Sequence, residues 1–229
     1  MNKKIFIIGF TFFLFCYNDC SAVGFRVEGI TLNKKVRSMK EIKSANIVTQ
    51  SLDYSCGAAG LSTLLNYYLN DPISEKEIIS TLLKSVSLAK VKQRKGFSLL
   101  DLKNYAESKG YKVTGYQMDF DFLQKLNKPA LVPIKFKNYR HFIIVKGVAG
   151  DRVFLADPAV GNITMKINRF EKIWTAGIGL VVEKENADVA ASSSLTIKPQ
   201  EAIFADYKNV MRTALSTVIR TAVFPTEYK

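Results

Sequence analysis

A cysteine at the start of a helical apolar pattern, a glutamine six residues before it and a single histidine are the groups in this 229-residue sequence best suited to covalent chemistry. In TQSLDYSCGAAGLSTLL, residues 49–65, they are Gln50 and Cys56, with Gly57 directly after the cysteine; His141 opens the run HFIIVKGV. Acyl transfer by a thiol needs an ionisable sulfur, a base, a group that orients the base and donors for the oxyanion. Cys56 falls in the first turn of its helix, where unpaired backbone N–H groups and the positive end of the dipole favour a thiolate. Gly57 lets backbone and substrate approach closely. Asp157 ends the run DRVFLAD, one hairpin beyond His141. Two antiparallel strands joined at Gly150-Asp151 bring their far ends together, so Asp157 can hold the imidazole tautomer and stabilise the imidazolium. Gln50 can set its amide beside Cys56 and complete an oxyanion hole with backbone N–H groups. A lone cysteine is often only a small core residue, and an Asp-Pro pair only a turn. The four together favour catalysis.

Composition narrows the setting. Residues 1–22, MNKKIFIIGFTFFLFCYNDCSA, place two lysines before an apolar run that ends in small residues, the pattern of a cleaved secretory signal rather than a membrane span. Removing it takes away Cys16 and Cys20, so of the chain's three cysteines only Cys56 stays. An odd cysteine in an exported chain is a partner-seeking or a reactive thiol. The formal charge is +13, spread over helices and strand edges without a Lys/Arg block, which fits a solvated cationic face and not a nucleic-acid partner. One cysteine and one histidine do not make a typical zinc site, and neither a metal nor a cofactor is called for.

The elements that must position these residues follow from periodicity. Residues 23–44 are polar and basic, an exposed lead-in with one edge strand. Apolar positions recur at helical spacing over 56–69 until Asp71-Pro72. Ser74 with Glu77 opens a second helix through Lys84, and a third spans 98–109 before Gly110. Beyond it the period changes: 111–117, 130–136, 141–148, 151–157, 162–167 and 177–183 read as strands, with a short helical piece near DFLQKLN. Helices first and a mainly antiparallel sheet second is the α+β order. A polar stretch over 185–198 reads as a linker. An apolar stripe from Ile203 to Val218 then marks a helix within 199–229.

The runs Q-SLDYS-CGAAGLSTLLNYY, KGFSLLDLKNYAESKGYKVTGY and PALVPIKFKNYRHFIIVKGVAGDRVFLADPAVGNITM, followed by FEKIW, resemble cysteine peptidase family 39, the double-glycine or bacteriocin-processing peptidases. The resemblance covers about residues 45 to 183 and implies a papain-like fold. It implies Cys56 as nucleophile, His141 as base, Asp157 as its orienting partner and Gln50 as the oxyanion residue. Transporter-fused members often carry Asp-Cys-Gly at the nucleophile; Ser55-Cys56-Gly57 is closer to stand-alone exported members. Those members occur with secretion systems for surface fibres, functional-amyloid (Fap-type) and pilus operons among them. No GxxxxGK[ST] nucleotide-binding run is present.

The resulting expectation is a periplasmic cysteine peptidase with a Cys-His-Asp triad, acting on a protein or peptide substrate and partnered by a secretion system or fibre subunit. Its domains would be a signal peptide (1–22), a basic lead-in (23–44), a papain-like peptidase domain (45–184), a linker (185–198) and a C-terminal amphipathic helix (199–229). Once the signal is removed, no transmembrane span is expected. A catalytically silent docking module and a cell-wall peptide amidase are the alternatives. An intact Cys, His, Asp and Gln set speaks against the first, and DYSCGAAGL against the second.

Overall fold

The computed structural model describes residues 23–27, 30–34, 38–136, 139–184 and 193–197. The expected signal peptide and C-terminal helix lie outside those residues, as does most of the expected linker. The chain divides into two compact units, Met1–Glu41 and Ile42–Lys229. In the first, strand β1 (Val23–Val27) pairs antiparallel with β2 (Ile30–Lys34), Val27 opposite Ile30. A hairpin thus stands where one edge strand is expected. A short helix, α1 (Met39–Ser44), follows.

The larger unit is built around α2 (Cys56–Tyr67), in which every residue from Cys56 to Leu65 is buried. A helix buried on all sides must let its neighbours come close, and the small residues after Cys56 do so. A Cβ added at Gly60 would lie 2.6 Å from Leu131 Cδ1, and one at Gly57 2.9 Å from Leu102 Cδ1 and 3.2 Å from the Phe142 ring. Three further helices follow, each opened by a serine cap: α3 (Glu75–Ser85) by Ser74, α4 (Leu88–Arg94) by Ser87 and α5 (Leu99–Ser108) by Ser98. The cap of α5 is reciprocal: Asp101 N donates to Ser98 Oγ at 3.2 Å and Ser98 N to Asp101 Oδ2 at 2.8 Å. The sequence reading passes over α4, which buries only Val91 and so has no apolar stripe to announce it.

The second half is β3 (Lys112–Gln117), α6 (Phe120–Lys125), β4 (Ala130–Phe136), β5 (Tyr139–Ala149), β6 (Arg152–Asp157), β7 (Gly161–Lys166), α7 (Ile167–Ile173) and β8 (Ile178–Glu183). The six strands form one antiparallel sheet in the order β3-β8-β4-β5-β6-β7, the α+β arrangement the sequence implies. One core cluster joins α2, α3 and α5 to the sheet through Leu131, Ile144 and Leu180. The other joins α6 and α7 to it through Val132, Ile143 and Val181, with Phe170 fully buried. Among the described residues, no helix is long and apolar enough to cross a membrane.

Two local features depart from plain periodicity. Strand β5 carries a bulge between Val145 and Gly147: Ile144 faces Ala156 on one side of it and Gly147 faces Phe154 on the other. The extra residue shifts the register by one, and a one-residue shift moves a side chain to the opposite face of the sheet. Gly147 sits at φ +152°, which an L side chain rarely adopts. Within the stretch read as a linker, residues 193–197 lie against the domain instead. Ser194 N and Ser193 Oγ donate to the Tyr67 carbonyl, Asn46 Nδ2 donates to the Ser194 carbonyl, and Leu195 is buried. The polar serines that suggest a linker find backbone partners at the end of α2.

Ile197 Cδ1 stands 2.8 Å from where a Gly147 Cβ would be. Gly147→Val should therefore lower unfolding free energy by about 2 kcal/mol or more, through backbone strain and the lost seat for Ile197. Urea denaturation of the purified full chain checks it.

Candidate active site

The loop before α2 is locked from both sides. Buried Glu75, at the start of α3, accepts from Ser51 N at 3.1 and 3.2 Å through its two carboxylate oxygens, and from Ser51 Oγ at 2.6 Å. Gln50 N donates to the Pro158 carbonyl at 2.9 Å, tying this loop to the turn that carries Asp157. Ser55 occupies the cap position of α2 but does not cap it. Its hydroxyl is spent on a local turn, donating to the Leu52 carbonyl at 2.8 Å and accepting from Leu52 N at 3.0 Å. The first helical hydrogen bond runs from Ala59 N to the Ser55 carbonyl, so the backbone N–H groups of the turn that begins with Cys56 have no intrahelical acceptor.

His141 and Asp157 meet on the sheet. Continuing the register of Ile144 with Ala156 by one step sets Asp157 opposite Ile143, two residues from His141 on the same face. Without the extra residue of the bulge, Asp157 would stand opposite Ile144, on the other face. His141 Nε2 and Asp157 Oδ1 are 2.8 Å apart, and both side chains are buried. The same carboxylate oxygen accepts from Ala159 N at 2.7 Å, and Asn162 Nδ2 pins the following strand to the carbonyls of Lys43 and Ala45.

The sulfur lies on the other side of the ring. Cys56 is 4% exposed and lines, with His141, a cleft of about 450 Å3. His141 Nδ1 is buried without a hydrogen-bond partner, and the Cys56 thiol is near enough to act on the ring. Burial alone would push the His141 pKa down; the hydrogen bond to Asp157 and the interaction with Cys56, with the charges of both, outweigh it and raise it to about 9. The exposed Tyr139 ring stacks on the imidazole, with centroids 5.6 Å apart and planes inclined by 29°.

Three of the four residues singled out from the sequence are thus brought together. His141 is buried because Tyr139 covers it and α2 abuts β5 at the neighbouring Phe142. Gln50 is close in the chain but otherwise engaged: Nε2 donates to the Leu52 carbonyl at 3.1 Å, and Oε1 is buried without a partner. One amide N–H remains for a ligand. Sequence reasoning passes over Tyr139 and Glu75. Tyr139 stands two residues before His141 and so shares its strand face, a usable signal; Glu75 reads only as a first-turn helix charge.

A model described as the Peptidase C39 family matches residues 44–187. A protein named "Probable functional amyloid protease FapD" from Pseudomonas aeruginosa is 34% identical over 149 residues, 65% of this chain and 66% of its own length. The protein of the same name from Pseudomonas fluorescens is 34% identical over 176 residues, 74% of this chain and 76% of its own. The alignments thus span about two thirds to three quarters of these relatives. Among solved structures, the peptidase domain of Streptococcus ComA, described as a bi-functional ABC transporter involved in a quorum sensing pathway, has a similar fold. It has a TM-score of 0.52 and 21% identity, covering 61% of this chain and 98% of that domain.

The raised histidine also ties the site to stability. With a folded pKa of about 9 against an ordinary 6.5, protonated His141 contributes stability that is fully present below about pH 6.5 and lost as pH rises through about 9. The Tm of the full chain should fall across that window, and Asp157→Asn should fall less, which thermal melts at stepped pH can read.

Proposed function

The chain belongs to the peptidase C39 family, and from that premise we propose that it is a thiol peptidase whose Cys56, His141 and Asp157 form the catalytic triad. The observation that carries this reading is the meeting of a buried sulfur, an imidazole and a carboxylate at one cleft. The proposed attacking form is the Cys56 thiolate paired with the His141 imidazolium, a ring that keeps its proton up to about pH 9. Sγ attacks the scissile carbonyl carbon. The oxyanion takes hydrogen bonds from the uncapped N–H groups at the start of α2 and from the remaining amide N–H of Gln50. The His141 proton passes from Nδ1 to the leaving amine, and the C–N bond breaks to leave a thioester on Cys56. Nδ1 then takes a proton from water, whose oxygen attacks the thioester and frees the acid and the sulfur. Throughout, Asp157 holds Nε2 and fixes which nitrogen faces the sulfur.

The proposed substrate is an exported protein, a component of a surface-fibre secretion system, met in the periplasm. Supporting this are the signal-like residues 1–22 and the relatives named functional amyloid protease. Incubating the purified chain with a Gly-Gly-containing fibre subunit and, separately, with muropeptides discriminates this from the cell-wall amidase reading. Cleavage of the protein alone supports the peptidase, and release of cell-wall peptide stems alone overturns it.

Cys56→Ala should abolish cleavage while circular dichroism stays native, because alanine suits a first helical turn. Residual cleavage at the wild-type rate would remove Cys56 from the mechanism. Asp157→Asn should lower kcat by roughly one to three orders of magnitude and bring the alkaline limb of kcat/KM, placed near pH 9 in the wild type, to lower pH.

A further inference from the structure

The cleft at Cys56 has an apolar floor, formed by Phe97, Leu99, Pro133 and Phe142, and a rim of Arg94, Lys95 and Arg140. Among the described residues, no carboxylate lines it. Lys95 and Arg140 have no ion-pair partner among the described residues. Arg94 Nη1 reaches only Asp101 Oδ2, at 3.7 Å, and that oxygen already accepts from Ser98 N at 2.8 Å. The rim is also fixed in place. Lys95 closes α4 with a left-handed backbone, φ 59°, and a Cβ at Gly96 would stand 3.3 Å from the Tyr54 carbonyl, in the loop that leads to Cys56. Three cations around one concave, largely apolar site focus their field on whatever binds there. Their natural complement is a carboxylate, which an arginine fork receives in two parallel hydrogen bonds.

We infer that this rim is a subsite for an acidic side chain, so that the substrate is a peptide with Asp or Glu within a few residues of the scissile bond and an apolar residue beside it. The inference rests on the cleft being the peptide-binding site proposed above. It makes Arg94, Lys95 and Arg140 specificity-determining residues, apart from the groups that handle the thiol chemistry.

The test needs no identified substrate. Cys56 of the full chain is alkylated with iodoacetate, an anion, and with iodoacetamide, its neutral counterpart, and the Cys56 peptide is quantified by mass spectrometry. The ratio of the two rates cancels changes in the thiol itself and reads the local field. A unit charge about 7 Å away in water changes the rate of an anionic reagent roughly threefold. Replacing Arg94, Lys95 and Arg140 by Gln together should lower the ratio by about tenfold or more at low salt, and about 0.5 M salt should bring the wild type most of the way down. Replacing the exposed Lys76, Lys84 and Lys172 by Gln serves as the control for overall charge and should leave the ratio near the wild-type value. An unchanged ratio in the rim variant, or an equal fall in the control, overturns the subsite. Labelling no faster than glutathione by both reagents would count against the peptidase reading, and the ratio would still judge the rim.

Discussion

The candidate site depends on one register. His141 and Asp157 lie on neighbouring strands, and only because β5 takes one extra residue between Val145 and Gly147 do they fall on the same face of the sheet. A regular ladder would keep both residues in sequence and separate them in space. The shift is held by a glycine at φ +152°, whose missing side chain also leaves the seat for Ile197. Backbone geometry some six residues from the imidazole therefore decides whether that ring has a carboxylate partner at all.

The sulfur is delivered by a different device. Helix α2 runs through the middle of the helical layer, and Gly57 and Gly60 allow Leu102, Phe142 and Leu131 to close on it. Its first turn is left uncapped because Ser55 bonds back to Leu52. The same loop is anchored to Glu75 on α3 and to Pro158 beyond β6, so the elements that carry Gln50, Cys56 and Asp157 constrain one another. A capping bond from Ser55 would have used an N–H group that the proposed oxyanion hole needs.

Much of this could be read from the residues alone, for identifiable reasons. The three long helices and the six strands announce themselves through period and caps, and an Asp one hairpin after the only histidine is predicted by antiparallel geometry. What escaped has physical causes too. Helix α4 is short and buries one residue, so it leaves almost no periodic trace. Serines in 193–195 look like solvated linker but are satisfied by Tyr67 and Asn46 while Leu195 enters the core. The commitment of the Gln50 amide to Leu52 depends on a loop conformation that spacing does not encode. The bulge is invisible in composition, since a glycine in a strand marks a bend without saying which way the register moves.

The central claim is that His141 is held between Asp157 and the Cys56 sulfur as a protonated ring at neutral pH. His141 is the only histidine of the chain, so histidine-labelled protein gives one imidazole to follow by NMR. A pH titration should show that ring losing its proton with a midpoint near 9. A midpoint at or below the ordinary 6.5 would contradict the ion-paired imidazolium and the chemistry built on it.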